Sequence, residues 1–114
     1  MTQYPLKGTP KATALSGVAS VEVIEGDNRM VSLRLQDLPA PEDLDPAATV
    51  YILWIVGDGD SAVKAARVAY DRQSHLARVR ATTPLHRFEF FITAEANFDA
   101  PYPRDSIILR QRVP

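Results

Sequence analysis

Hydrophobic side chains in this chain recur at every second position, and that spacing constrains the fold more than any other feature. Val31, Leu33 and Leu35 share one parity in Met30–Leu35. Ala77, Val79 and Ala81 stand opposite Arg78, Arg80 and Thr82. Phe88, Phe90, Ile92 and Ala94 share one side, with Arg87, Glu89, Phe91 and Thr93 on the other. Successive side chains of an extended strand point to opposite faces, so these are half-buried strands with one wet side. Val21 and Val23 repeat the pattern in residues 18–25. The Gly26-Asp27-Asn28-Arg29 cluster that follows tolerates left-handed backbone and reads as the turn of a hairpin into Met30–Leu35.

One run breaks the alternation. Val50-Tyr51-Ile52-Leu53-Trp54-Ile55-Val56 is apolar at both parities, rich in β-branched and aromatic residues, and too short for a buried helix. It reads as a central strand covered on both faces, with Trp54 in the core. Before it, residues 37–48 hold three prolines and four acids and read as a crossing loop. After it, residues 62–70 fit either a short alanine-rich helix or a strand; the regular turn spacing favours the strand. Pro84-Leu85-His86 makes a corner, Phe91 packs under a loop, the loop from residue 95 to 105 carries Pro101 and Pro103, and residues 106–111 form the last strand.

About seven short strands, frequent turn signals and no long amphipathic helix predict an all-β fold, an antiparallel β-sandwich of immunoglobulin-like type, with a closed barrel as the alternative. At 114 residues, one domain is expected. The prediction places it at residues 18–112, with residues 1–17, polar and carrying two prolines, as a loose leader.

Segments 50–56, 90–98 and 103–106 resemble two related families. Tyr51 to Val56 and Phe90 to Glu95 look like the Tyr-x-Leu-Trp strand and the Phe-x-x-Thr-x-Glu-Pro segment of the C-terminal, extracytoplasmic domain of anti-sigma-K-type anti-sigma factors. Val50 to Trp54, Ile92 to Phe98 and Pro103 to Ser106 resemble, more closely, an uncharacterised β-rich domain of acidobacterial envelope proteins. The likeness runs from about Val18 to Leu109 and implies an extracytoplasmic sandwich of the cell envelope without an established ligand, for which protein–protein contact or a structural or sensory role is expected. Ala96 stands where the family has proline. The sigma-binding region and membrane helix of true anti-sigma factors have no counterpart here, so sigma binding is not carried over, and membrane attachment is expected only through a segment outside this sequence. The first residues show no basic region leading into an apolar one, so no signal peptide is expected.

Chemistry-bearing patterns are sparse. There is no cysteine, which removes disulfides and thiolate sites. His75 and His86 each lie beside a turn without ligand spacing, and no serine sits in a nucleophile elbow. Asp58-Gly59-Asp60-Ser61 lacks the distal glutamate of a calcium loop and reads as a solvated turn. No catalytic residue, metal or cofactor is implied, and a non-catalytic module is expected.

Thirteen basic side chains balance fourteen acidic ones, which argues against nucleic acid as partner. The charge is nevertheless split: residues 1–60 hold four bases and nine acids, residues 61–114 nine bases and five acids. Arg67, Arg78, Arg80, Arg110 and Arg112 could form one basic face for an acidic partner or anionic headgroups. Interleaving of the two halves in a sandwich favours mutual neutralisation instead. Phe98 and Tyr102, in the proline-bearing loop, are the candidate aromatic contacts. The candidate contact surface is therefore Phe98, Tyr102, Arg78 and Arg80, for a protein partner or, alternatively, a sugar or other small ligand at the 95–105 loop.

Overall fold

The computed structural model of the chain describes residues 1–104 and 106–114. Nine strands form two antiparallel sheets. They are β1 (Thr2–Lys7), β2 (Ser16–Val23), β3 (Arg29–Gln36), β4 (Val50–Val56), β5 (Val63–Arg67), β6 (Ala69–Asp71), β7 (Leu76–Thr83), β8 (Phe88–Glu95) and β9 (Ile107–Val113). The five-stranded sheet runs β1-β2-β3-β7-β6 and the four-stranded sheet β5-β4-β8-β9. With β2 to β9 taken as A, B, C, C′, D, E, F and G, this is the immunoglobulin-like order, with β1 added outside the first strand. The fold is the predicted sandwich, not the barrel.

Alternation decides which side of each strand goes in. Ala19, Val21, Val31, Leu33, Leu35, Ala77, Val79 and Ala81 meet Tyr51, Leu53, Ile55, Phe88, Phe90 and Ile92 from the other sheet in one buried layer. Burial along β7 follows parity without exception, residue by residue from exposed Leu76 to buried Thr83.

Residues 1–17 differ from the expectation of a loose leader. Thr2–Lys7 pair along β2 in register from Thr2 opposite Val21 to Lys7 opposite Ser16, and Leu6, Ala12 and Leu15 enter the core. The segment is short and broken by Pro5 and Pro10, so its alternation is weak in sequence. Its hold on the fold comes from distant partners: the Thr9 hydroxyl donates to the Ile107 carbonyl (2.7 Å) and the Thr9 amide to the Ile108 carbonyl (2.8 Å). Residues 62–70 are strand, split in two. Val68 is the crossing point between the sheets, its amide donating to the Tyr51 carbonyl (3.0 Å).

The crossing loop after β3 carries a single helical turn, α1 (Pro41–Leu44). Two tyrosines pin it. Tyr51 donates to the Pro39 carbonyl (2.6 Å) and Tyr70 to the Leu38 carbonyl (2.7 Å), while the rings meet edge to face with centroids 5.8 Å apart. Burial pushes both phenols above their usual pKa of 10.0, Tyr51 strongly, because desolvation disfavours the phenolate. A raised native pKa means that the stabilisation is fully present below the unfolded value and is lost as pH rises through it. Urea midpoints are accordingly expected to hold steady up to about pH 9 and to fall from about pH 10 upward. A midpoint unchanged beyond that pH would show that neither phenol is held neutral by the fold.

Candidate functional site

The sandwich has two outer faces, and the sequence treats them differently. On the four-stranded sheet the outward residues are themselves apolar: Val50, Ile52, Trp54 and Phe91 form a second buried cluster, with Val56, Ala62, Ala100 and Ile107 packed against it. The loop after β8 lies over them. Trp54 is fully buried, but in this outer layer and not in the layer between the sheets.

A polar chain anchors the cover. The Trp54 indole N–H donates to Thr93 Oγ1 (2.8 Å), the Thr93 hydroxyl donates to Glu95 Oε2 (2.6 Å), and the Arg104 amide donates to the same oxygen (2.9 Å). The Glu95 side chain is entirely buried. Among the described residues its Oε1 has no hydrogen-bond partner, the nearest cation being Arg104 Nε at 3.9 Å. At the loop's outer end, the Lys64 ammonium sits 4.7 Å from the centre of the Phe98 ring and donates to the Phe98 carbonyl.

Phe98 is thus held down, with 37% of its surface exposed, whereas Tyr102 stands free at 74%. Residues 95–104 of the predicted 95–105 contact loop are seen to cover the sheet; Asp105 lies outside the described residues. The loop encloses a hollow of about 400 Å³ lined by Glu95, Asn97, Tyr102 and Arg104.

Among the described residues, no segment covers the five-stranded sheet in this way. Its outer face is a trough of about 820 Å³ that continues, through Val18, Arg34, Ala69 and Arg78, into a second of about 990 Å³. Four arginines border the first: Arg34, Arg67, Arg78 and Arg80. All four are exposed, and among the described residues none makes an ion pair or a side-chain hydrogen bond. Register brings them together, with Arg34 directly opposite Arg78 and Ser32 opposite Arg80. One acid, Glu22, lines the same trough.

The structure therefore divides the predicted contact residues between opposite faces of the sandwich: Arg78 and Arg80 on the five-stranded sheet, Phe98 and Tyr102 over the four-stranded one. It also divides the basic half of the chain. Arg110 and Arg112, on β9, pair with Glu89 (3.8 Å) and Asp58 (3.2 Å), so local neutralisation operates there, between the two halves only for Arg112. It does not reach Arg67, Arg78 and Arg80. Arg34, from the acidic half, joins them; its outward parity was legible, but its neighbourhood required the β3–β7 register.

Two like charges directly opposite one another in a sheet are destabilising, by an amount comparable to the 0.2–1 kcal/mol that favourable cross-strand pairs contribute. Arg78→Thr is therefore expected to raise the unfolding free energy by roughly 0.2–1 kcal/mol at low ionic strength, with the gain shrinking as salt is added. A urea midpoint that falls in this variant would contradict the repulsion.

His75 lies beside Tyr70 (3.1 Å) and the Leu38 carbonyl (3.2 Å), and His86 is 3.0 Å from Asp27. Among the described residues, no group of three His, Cys, Asp or Glu side chains is placed to hold a metal. Comparison with protein-family models, with curated proteins and with solved structures finds no match to this chain.

Proposed function

We propose that this domain is a non-catalytic binding module, a β-sandwich that docks a protein partner through the outer face of its five-stranded sheet. The observation that carries the reading is the concentration of Arg34, Arg67, Arg78 and Arg80 along one trough with no carboxylate of the described residues paired to them. Arginine's planar fork is suited to carboxylate recognition, and an unpaired cluster in a concavity draws anions even when the whole chain is near neutral. The resemblance noted above adds a cell-envelope setting to this proposal. The alternative, a sugar site at residues 95–105, has less support: Phe98 is engaged by Lys64, which leaves Tyr102 as the freely exposed ring of the loop.

Chromatography on a sulfonated matrix at neutral pH tests the reading. The parent protein, net charge −1, is expected to be retained and released by salt. A variant carrying Arg34→Thr and Arg78→Thr should pass earlier. A variant carrying Arg110→Thr and Arg112→Thr, with the same change in charge, should elute nearer the parent. Passage of the parent without retention, or equal effects of the two variants, would remove the face from consideration.

A further inference from the structure

We infer that the arginine trough receives an extended acidic segment of a partner protein, with acids at two alternate positions and a neutral or basic residue at the next. The inference rests on the docking face proposed above and specifies its occupant.

The outer face is organised in levels set by register. The first runs across β1, β2, β3, β7 and β6 as Pro5, Val18, Arg34, Arg78 and Ala69. The next, two residues along, reads Gln3, Ser20, Ser32 and Arg80. The third reads Glu22, Met30 and Thr82. Levels are separated by a two-residue strand repeat, about 6.6–6.8 Å. An extended peptide repeats its own side chains on one face at the same interval, so one lying along β3 and β7 matches the levels in turn.

At the first level, two opposed guanidinium groups offer parallel forks to one carboxylate, which relieves their mutual repulsion. At the second, Arg80 is flanked by the hydroxyl of Ser32 and, one strand further, of Ser20, both half-buried and both able to donate. Arg67, at the end of β5, borders the same part of the trough. At the third level Glu22 replaces the cations, so a third acid meets like charge and a lysine meets an opposite one.

The shape favours a chain over a membrane. The two troughs are continuous along the strand direction, and the cations line a concavity that a planar bilayer surface cannot enter without desolvating the rim. Val18, Met30 and Ala69 give the concavity partly apolar walls, which suit the aliphatic stems of peptide side chains.

The test uses the full chain and three probes: the blocked peptide Thr-Glu-Thr-Glu-Thr-Lys-Thr, its isomer Thr-Thr-Lys-Glu-Glu-Thr-Thr of identical composition, and vesicles of phosphatidylglycerol. Calorimetric titration at low salt is expected to show the alternating peptide binding at least fivefold more tightly than the isomer. Arg78→Thr should weaken it about tenfold, and Glu22→Lys should reverse the preference for lysine at the last charged position. Circular dichroism confirms that each variant is folded. Equal affinity for the two peptides would overturn the inference while leaving an anion-attracting face intact. Sedimentation of the protein with vesicles, without peptide binding, would replace the occupant by a lipid surface. Absence of both, together with no retention on the sulfonated matrix, would remove the face itself.

Discussion

Replacing Trp54 by Ala is expected to lower the unfolding free energy by about 3–5 kcal/mol, the range for removing a fully buried large aromatic. The indole has no exposed surface and fills the layer between the four-stranded sheet and the loop after β8. Two losses combine. The cavity forfeits the contacts with Val50, Ile52 and Phe91, and the donor that orients Thr93 disappears. For a domain of this size each kcal/mol shifts the melting temperature by roughly 4 °C, so a fall of more than about 10 °C is expected. Trp54 is the single tryptophan, so the transition must be followed by circular dichroism and not by fluorescence. Trp54→Phe separates the two losses, since it keeps most of the apolar filling but removes the N–H; about 1 kcal/mol of the effect belongs to that hydrogen bond. A Trp54→Ala variant within 1 kcal/mol of the parent would mean that the loop does not close over the sheet as described.

The second large effect is at Glu95. Glu95→Ala removes the oxygen that accepts from the Thr93 hydroxyl and the Arg104 amide, both on the side of the sheet covered by the loop. Leaving a buried donor without its acceptor costs about 1–3 kcal/mol each. Against that stands relief from burying Oε1, which finds no partner among the described residues. A net loss of about 2–4 kcal/mol is expected, concentrated in the loop. Limited proteolysis should cut the variant within residues 96–104 under conditions that leave the parent whole. Tyr102→Ala, at an exposed position of the same loop, should stay within about 0.5 kcal/mol of the parent. Because Thr93 and Glu95 share one chain of bonds, Thr93→Val and Glu95→Ala should be non-additive, the double variant losing less than the sum. Additivity would show that the chain does not act as a unit.

Both sites illustrate how far residue order carried the structure. The inward rows of β3, β7 and β8 were readable because each has one dry face and one wet one. The doubly apolar run at 50–56 announced cover on both sides, but not what supplies the second cover. That depends on where residues 96–104 fold back, a choice made by Trp54, Thr93 and Glu95 together. A lone glutamate at the end of a strand carries no mark of burial in its own neighbourhood. Strand β1 was missed because Pro5 interrupts a short segment: it pairs with neighbouring β2, and the stretch after it is tied through Thr9 to β9, distant in sequence.

The charged surface divides in the same way. Parity put Arg78 and Arg80 outward, and the bias between the halves of the chain suggested a basic side. Which arginines remain unpaired is a matter of register. Arg110 and Arg112 come beside Glu89 and Asp58, whereas Arg34 and Arg78 come beside each other. Of the five side chains that sequence bias grouped, the structure keeps Arg67, Arg78 and Arg80 on one face, sets Arg110 and Arg112 apart, and adds Arg34 from the acidic half.

The account's central claim is that the uncovered, arginine-lined face is where partners dock, and a residue-resolved nuclear magnetic resonance titration with the alternating acidic peptide tests it most directly. Amide shifts are expected to cluster at Ser20, Ser32, Arg34, Arg78 and Arg80, with residues 96–104 unmoved. Shifts centred on Phe98 and Tyr102, or on Arg110 and Arg112, with the trough silent, would contradict it.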